Sequence, residues 1–462
     1  MERSVIQQFV DPGSGRIFRS AIVFSAGDNV LLFEKKGHML LTDTAYASIL
    51  KSGAIPADLL RKLNSRGFLS GQTKTPGCTE ACQIRPEFFM IDLTNKCNMR
   101  CKYCLRNVVG GQESMQQGAL RDICAYINAY CEKEKLTDVS IQPWGGEPLL
   151  ELDSILLMRQ LIKPAHTRVH FSIETNGLLL NQENINTLYK NRIGIGISID
   201  GYQAVHDSQR VMPDGAGSHR QVEYNMRLAQ HRYGKQLGTI TTVTRNNAPH
   251  IEKILEYYAT QLKLTNVKFN FVHKSMFSNC DGLCLSCKEI SSTEIRILEK
   301  LIELNECGYS ISDYNIRVKL KNLLFRQYSD ICHSNGCAGG RKMIVFDMRG
   351  DIYPCELTDI PEENIGSIYD GRELIETIRQ AMQKSSYFIQ KKESTCDECE
   401  WYVFCKGGCT VRTISVGNRP PAIDIVECAV NSALYPALVE LILTKPQVVN
   451  QMLGKGSIVL TV

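Results

Sequence analysis

The stretch Thr94–Asn107, TNKCNMRCKYCLRN, follows the apolar run PEFFMIDL and carries three cysteines, Cys97, Cys101 and Cys104, separated by three and then two residues. An unbroken apolar run ahead of a polar loop reads as a strand buried on both faces, with the cysteines on the loop at its carboxyl end. The wider cysteine usage gives this loop its weight. Nineteen cysteines stand among 462 residues, none before Cys78 and none between Cys131 and Cys280, while twelve fall from Cys280 to Cys428. Buried structural cysteines scatter more evenly. In a reducing compartment disulfides are disfavoured, so clustering of this kind points to metal or redox chemistry.

Working outward, residues 86–275 alternate between strand and helix patterns. Strands are expected at 86–93, 138–142, 168–173, 193–199, 237–243 and 266–272, and helices at 115–134, 152–162, 182–190, 218–232 and 249–262, with a further helix at 292–306. Six such units predict an α/β fold, a partial (β/α)6 barrel of TIM-like construction. Residues 1–80 read as a small α+β module of winged-helix size. It has three short strands (RSAIVFSA, VLLFEK, HMLLT) and two helices, one capped by Asp43 and one opening at Pro56, and GQTKTPG reads as a linker. Residues 276–331 read as a bridging segment and 332–430 as a loop-rich region held by its cysteines rather than by a core alone. Residues 431–462 read as a tail, helical and then extended.

In parallel barrels the reactive groups lie beyond the strands' carboxyl ends. Four loops hold those positions here: the cysteine triplet, WGGEP (Trp144–Pro148), ETNG (Glu174–Gly177) and SIDG (Ser198–Gly201). Three thiolates on a four-iron cluster leave one iron open to a ligand. Zinc, with a fourth ligand from elsewhere, is the competing reading. In GGEP the glycines permit close backbone approach to a ligand, and Glu147 can accept a hydrogen bond from a ligand ammonium; a plain tight turn fits equally well.

Taken together, CNMRCKYC and the downstream GGEP resemble the radical S-adenosylmethionine (SAM) superfamily, and HDSQR…GAGSHRQVEYNM is similar to its sulfatase-maturase and peptide-maturase branch. The resemblance spans about residues 86–275. It implies that Cys97, Cys101 and Cys104 hold a 4Fe–4S cluster whose open iron takes the amine and carboxylate of SAM. It further implies that Tyr103 packs near the adenine and that Gly145, Gly146 and Glu147 hold the methionine amine. By the same resemblance Ser198, Arg210 and Phe271 contact the cofactor.

The later cysteines carry a second resemblance. Twelve residues separate Cys337 from Gly350 and four separate Gly350 from Cys355. Cys396, Cys399, Cys405 and Cys409 follow with two, five and three residues between them, and Cys428 comes last. This is similar to the seven-cysteine SPASM domain, which implies two auxiliary 4Fe–4S clusters and three in all. Carried over, one auxiliary cluster takes Cys337, Cys355 and Cys409 with Cys332 as fourth ligand, and the other takes Cys396, Cys399, Cys405 and Cys428. A zinc ribbon competes only for Cys396 and Cys399 in isolation. Glu356 stands where sulfatase maturases have an aspartate acting as base on the substrate; a surface carboxylate in a turn is the alternative. Glutamate in that position argues against a sulfatase maturase.

Eight cysteines remain. Cys124 and Cys131 fall on an expected helix and read as core. Cys280, Cys284 and Cys287 in CDGLCLSC repeat the three-then-two spacing, which fits a further metal site (with Cys307) or redox-active thiols, and Cys78 and Cys82 fit a redox or substrate-handling pair. A net charge of +4 argues against a dedicated nucleic-acid binder, no run approaches a membrane-spanning length, and a cytoplasmic location follows. The N-terminal module resembles the recognition element of peptide-modifying enzymes, which binds a leader peptide along a sheet edge; a structural cap over the barrel is the alternative. The expected function is a maturase that cross-links a ribosomally made precursor peptide, through a thioether or carbon–carbon bond, after hydrogen abstraction. Its electrons would come from a low-potential donor of flavodoxin or ferredoxin type. A formylglycine-forming sulfatase maturase and a non-catalytic iron–sulfur scaffold or redox sensor are the alternatives.

Overall fold

A computed structural model describes residues 1–6, 9–10, 17–18, 21–27, 29–34, 38–43, 61, 63, 69–70, 84–106, 111–234, 237–274, 280, 282–325, 330–332, 336–356, 358 and 360–454. The two helices expected after Asp43, the 71–77 linker, Cys78 and Cys82 lie outside these residues.

Seven short strands come first: β1 (Glu2–Ile6), β2 (Phe9–Val10), β3 (Ile17–Phe18), β4 (Ala21–Ala26), β5 (Asn29–Glu34), β6 (His38–Asp43) and β7 (Leu69–Ser70). They form two antiparallel sheets, ordered β1-β4-β5-β6 and β2-β3-β7. Among the described residues, the larger sheet packs on the C-terminal region. Phe24 and Phe33 pack on Trp401, with ring centroids 6.0 and 5.5 Å away, and Trp401 stacks on Tyr435 at 5.2 Å. Asn29 Nδ2 donates to the Leu443 carbonyl at 2.7 Å. The N-terminal sheet is thus docked on the cysteine-rich C-terminal region.

The central sheet has β8 (Phe88–Thr94), β9 (Asp138–Gly145), β10 (Arg168–Thr175), β11 (Ile193–Ser198), β12 (Gly238–Val243) and β13 (Asn266–Phe271) in sequence order and all parallel. These are the six expected strands, each within a few residues of its expected bounds. The helices Gln117–Lys133, Leu152–Leu161, Gln182–Lys190, His219–Tyr233 and Ile251–Thr260 connect them. β8 reads FFMIDLT and is buried almost throughout, as expected of a strand covered on both faces. Cys124 and Cys131 are core residues on the first of these helices.

Two additions go beyond six units. A two-residue strand, β14 (Ser312–Asp313), extends the β13 edge. On the opposite side β15 (Met343–Phe346) runs parallel to β8, in register from Met343 with Phe88 to Phe346 with Ile91. β16 (Asp351–Tyr353) and β17 (Gly366–Ser367) then follow antiparallel, giving ten strands. The piece KMIVFDMRGDIYP is therefore a hairpin of the barrel sheet. Asp347 Oδ1 accepts from the amides of Arg349 and Asp351, and Gly350 supplies the positive φ (88°) that the turn requires.

The helix Cys287–Glu306 packs between Ile251–Thr260 and the long helix Ile425–Thr444. The latter is long and apolar enough to cross a membrane by length and composition, contrary to the expectation that no run approaches that length. Its apolarity has another cause. Leu434, Leu438, Val439 and Ile442 are all within the core, and Glu427 on its first turn pairs with Lys319 at 2.7 Å. It is a core helix facing neighbours on several sides.

Candidate functional site

The cysteine loop leaves β8 and is held by the GGEP loop that leaves β9. Gly146 N donates to Thr94 O (2.8 Å) and Glu147 N donates to Lys96 O (2.9 Å). A Cβ on Gly146 would overlap the Lys96 carbonyl oxygen, and one on Gly145 would overlap that of Thr94. These glycines are needed for loop-against-loop packing, a role the sequence reading did not foresee. Arg100 braces the same loop from inside, its Nη1 donating to the carbonyls of Cys97 and Met99.

Glu147 is buried, and its carboxylate accepts from Leu149 N (3.0 Å), Thr175 Oγ1 (2.7 Å) and Asn176 N (2.8 Å). Burial pushes its pKa up, while these three donors oppose the rise. A carboxylate has about four acceptor positions, so one remains for a cationic ligand. Asn176 also donates to Asn98 of the cysteine loop at 2.7 Å, which ties ETNG into the same assembly.

Across the barrel, Tyr103 donates to Asp200 Oδ2 at 2.6 Å and accepts from Arg210 Nη1 at 2.5 Å. Gln209 and Thr242 N also donate to Asp200. Burial opposes the charge on Arg210, but Cys101, Tyr103 and Asp200 around it outweigh that and keep it a cation. Its Nε is buried without a hydrogen-bond partner, an orphaned donor of the kind a ligand satisfies. Burial raises the Cys97 thiol and pushes Cys101 up to about 12, so metal binding here must displace protons.

A single cavity of about 560 Å³ connects these groups to the C-terminal region. Its walls include the three cysteines, Tyr103, the GGEP residues, Ser198, Arg210 and Phe271, and also Lys268, Glu356, Cys332 and Cys409. Every cofactor-contacting residue expected from sequence thus lines one space. Glu356 keeps accessible surface on the wall of the cavity, with its carboxylate set among protein groups. Burial and the neighbouring Glu174 push its pKa up to about 6, against the pull of Lys268 and Arg106. Lys268 on β13 lies with its Nζ 5.5 Å from the Tyr314 ring centroid. Burial disfavours its charge, yet Glu174, Cys332, Asp330 and Glu356 more than compensate.

The later cysteines separate into two neighbourhoods. Burial raises Cys355, and the charges of Cys337, Cys332 and Cys409 raise it further. Cys337 itself is lowered: burial acts upward, but Lys391 and the Tyr387 hydroxyl prevail. Away from these, Cys405 is raised to about 12 by burial, with Cys399 and Cys428 contributing, and Cys428 in turn feels Cys399 and Cys396. The structure therefore brings together Cys332, Cys337, Cys355 and Cys409 in one group and Cys396, Cys399, Cys405 and Cys428 in another. Among the described residues, no three or more His, Cys, Asp or Glu side chains converge closely enough for one metal ion. A four-iron cluster is larger, and its ligands bind separate irons.

Sequence reasoning missed Asp200, Gln209, Thr175, Asn176 and Lys268. Asp200, Thr175 and Asn176 sit within two residues of a strand's carboxyl end, and the residues of SIDG and ETNG not assigned a role were the available signal for them; Lys268 lies inside β13 and Gln209 beyond the short helix Gln203–Asp207, with no such signal.

Residues 91–258 match the family model of the radical SAM superfamily. This stretch is a radical SAM domain, and the chain is an enzyme of that class. It is 26% identical over 336 residues to a cysteine-type anaerobic sulfatase-maturating enzyme of Clostridium novyi, covering 68% of this chain and 85% of that relative. Among solved structures it resembles native anSMEcpe with bound AdoMet and Cp18Cys peptide (TM-score 0.67, 20% identity, 77% of this chain and 99% of that one). It also resembles Streptococcus suis SuiB bound to precursor peptide SuiA (TM-score 0.53, 13% identity, 87% and 99%). The superfamily match implies SAM and a 4Fe–4S cluster as cofactors.

Proposed function

We propose that this enzyme is a maturase that modifies a ribosomally made precursor peptide by forming a cross-link, thioether or carbon–carbon. The observation that carries this reading is the single cavity running from the cysteine loop to Glu356, Cys332 and Cys409. A peptide segment lying in it would touch both the radical-generating end and the C-terminal cysteine group. Among the described residues, β1 and β6 are the outer strands of the larger N-terminal sheet, where a leader peptide could add as a strand.

In this reading Cys97, Cys101 and Cys104 hold the cluster, and the last acceptor position of Glu147 takes the methionine ammonium. Arg210 Nε donates to the cofactor, while Gly145, Gly146, Ser198, Tyr103 and Phe271 shape its bed. When bound, the cofactor pair supplies, on one-electron reduction, a 5′-deoxyadenosyl radical that removes a hydrogen atom from the substrate. The two later cysteine groups would hold two auxiliary 4Fe–4S clusters, which would supply one-electron redox capacity beside the substrate. Glu356 accepts the substrate proton at its carboxylate, poised by a pKa of about 6. Lys268 lines the same cavity as Glu356 and Glu174 and favours the charged carboxylate of Glu356 before it takes the proton. The electron donor is a flavodoxin- or ferredoxin-type protein, nucleic acid and membrane play no part, and the site of action is the cytoplasm.

A second reading is favoured by the relatives named sulfatase-maturating enzymes: oxidation of one Cys or Ser in a sulfatase to formylglycine. One experiment separates the two. Anaerobic incubation with SAM, reductant and each small peptide encoded beside the gene, or a sulfatase peptide, is read by mass spectrometry. Loss of about 2 Da with a new bond between two residues supports cross-linking. An aldehyde on the sulfatase peptide supports the second reading. Deoxyadenosine formation with neither product rejects both.

A further inference from the structure

The site described above leaves CDGLCLSC unused. Its described part is a single turn in which the amides of Leu283 and Cys284 donate to the Cys280 carbonyl at 2.8 and 3.1 Å. A turn of that kind sets residues four apart on one side. The Sγ atoms of Cys280 and Cys284 are 3.5 Å apart in a thiol–thiol hydrogen bond, with Cys280 Sγ also donating to the His273 carbonyl at 3.4 Å, and are not joined in a disulfide. Cys280 is fully buried in a small apolar cluster with Tyr103 and Val272, against which Cys101, Leu283 and Cys284 pack. Cys284 is half-buried, and neither sulfur lines the cavity. Arg245 pins the turn, since its amide donates to Leu283 O (2.8 Å) and its guanidinium to Cys284 O (2.9 Å) and Glu289 (2.7 Å). Cys287 lies past the Ser286 N-cap as the first residue of its helix.

We propose that Cys280 and Cys284 are a redox-active dithiol that closes to an intramolecular disulfide directly behind the loop carrying Cys101 and Tyr103. Residues one turn apart fall within the Cα spacing a disulfide spans, and the sulfurs need only approach from 3.5 Å to about 2 Å. The oxidant is a low-molecular-weight disulfide. The Cys284 thiolate, the accessible one, attacks it, releasing one thiol and leaving a mixed disulfide on Cys284. The Cys280 sulfur then displaces the second thiol. Two protein thiols are oxidised and one external disulfide is reduced to two thiols. Because Cys280 packs on Tyr103, whose hydroxyl joins Asp200 and Arg210, closure repositions the support of the cofactor end of the cavity.

The test equilibrates the purified full chain anaerobically with reduced and oxidised glutathione in varied ratio. It is then quenched with an alkylating reagent and mapped by mass spectrometry. In the wild type, Cys280 and Cys284 should lose reactivity together, with a loss of about 2 Da in the peptide that holds both. Cys280→Ser should instead carry glutathione on Cys284, Cys284→Ser should leave Cys280 a thiol, and Cys287→Ser should behave as wild type. Hydrogen exchange at residues 97–106 should change on oxidation of the wild type and stay unchanged in Cys280→Ser. The proposal is overturned if both thiols stay alkylatable at the oxidising end or if either bonds to Cys287 or Cys101. It is also overturned if the wild type forms no disulfide while each serine variant loses bound iron, which would make the pair a metal site.

Discussion

The barrel and the cysteine-rich C-terminal region reach a defined structure by different means. From β8 to β13 the backbone is organised by strand–helix alternation and an apolar core; of its five cysteines three serve one loop and two, Cys124 and Cys131, lie in the core. Beyond β14 the strands are short, two to four residues each, and several turns between the helices are single 3-10 segments. Eight cysteines there sit in two neighbourhoods. The first region folds its site with its scaffold. The second combines short strands and turns with helices around its cysteines.

The comparison is broken most severely by Cys97, Cys101 and Cys104→Ala together. Deoxyadenosine formation should fall below detection, while iron falls by about one third, four atoms of twelve, and the iron held by the later cysteines remains. Iron analysis and chromatography of the reaction read both, and loss of all iron would mean that the two regions load as one unit.

Glu356→Gln comes next. Product formation should drop about 10²- to 10⁴-fold, with deoxyadenosine still made. In the wild type the base must be deprotonated, so the rate should rise with pH and level off above about 6, falling tenfold per unit below it. A flat profile from pH 5 to 8, with chemistry limiting, would remove Glu356 from that role.

Trp401→Ala tests how the N-terminal sheet is held, because this ring lies between Phe24, Phe33 and Tyr435. A loss of about 3–5 kcal/mol is expected in denaturant unfolding. Proteolysis should then release the N-terminal strands first.

The smallest expected effect is the sharpest on the comparison itself. Ile91→Val on β8 and Ile344→Val on β15 each remove one methylene from fully buried positions in the same core, at about 0.5–1.5 kcal/mol apiece. If the sheet is one cooperative unit, both shift the same transition. Two separable transitions would mean that β15 belongs to an independent body.

Much of this was legible in sequence, for reasons that differ by region. β8 announced itself as a near-continuous apolar run, FFMI, and the other strands by alternation with one face inward, as IGIGI shows. The loops at their ends followed from topology alone. β15 was not legible as part of that sheet: MIVF has the right composition, but nothing local says that its partner is β8. Gly145 and Gly146 have a packing role that was not legible, for a related reason. A glycine's absent side chain says that something comes close without saying whether it is ligand or backbone, and here it is the carbonyls of Thr94 and Lys96. Asp200 was passed over because an aspartate before glycine looks like turn chemistry until Tyr103, Gln209 and the Thr242 amide are seen donating to it.

The pairing of β15 with β8 also has a consequence for synthesis. The first strand of the barrel leaves the ribosome with one flank bare, and the segment that covers it emerges roughly 250 residues later. Throughout that interval an apolar edge is available to any neighbouring nascent chain, so yield in a foreign host should respond to chaperone supply and slower translation at least as strongly as to iron in the medium.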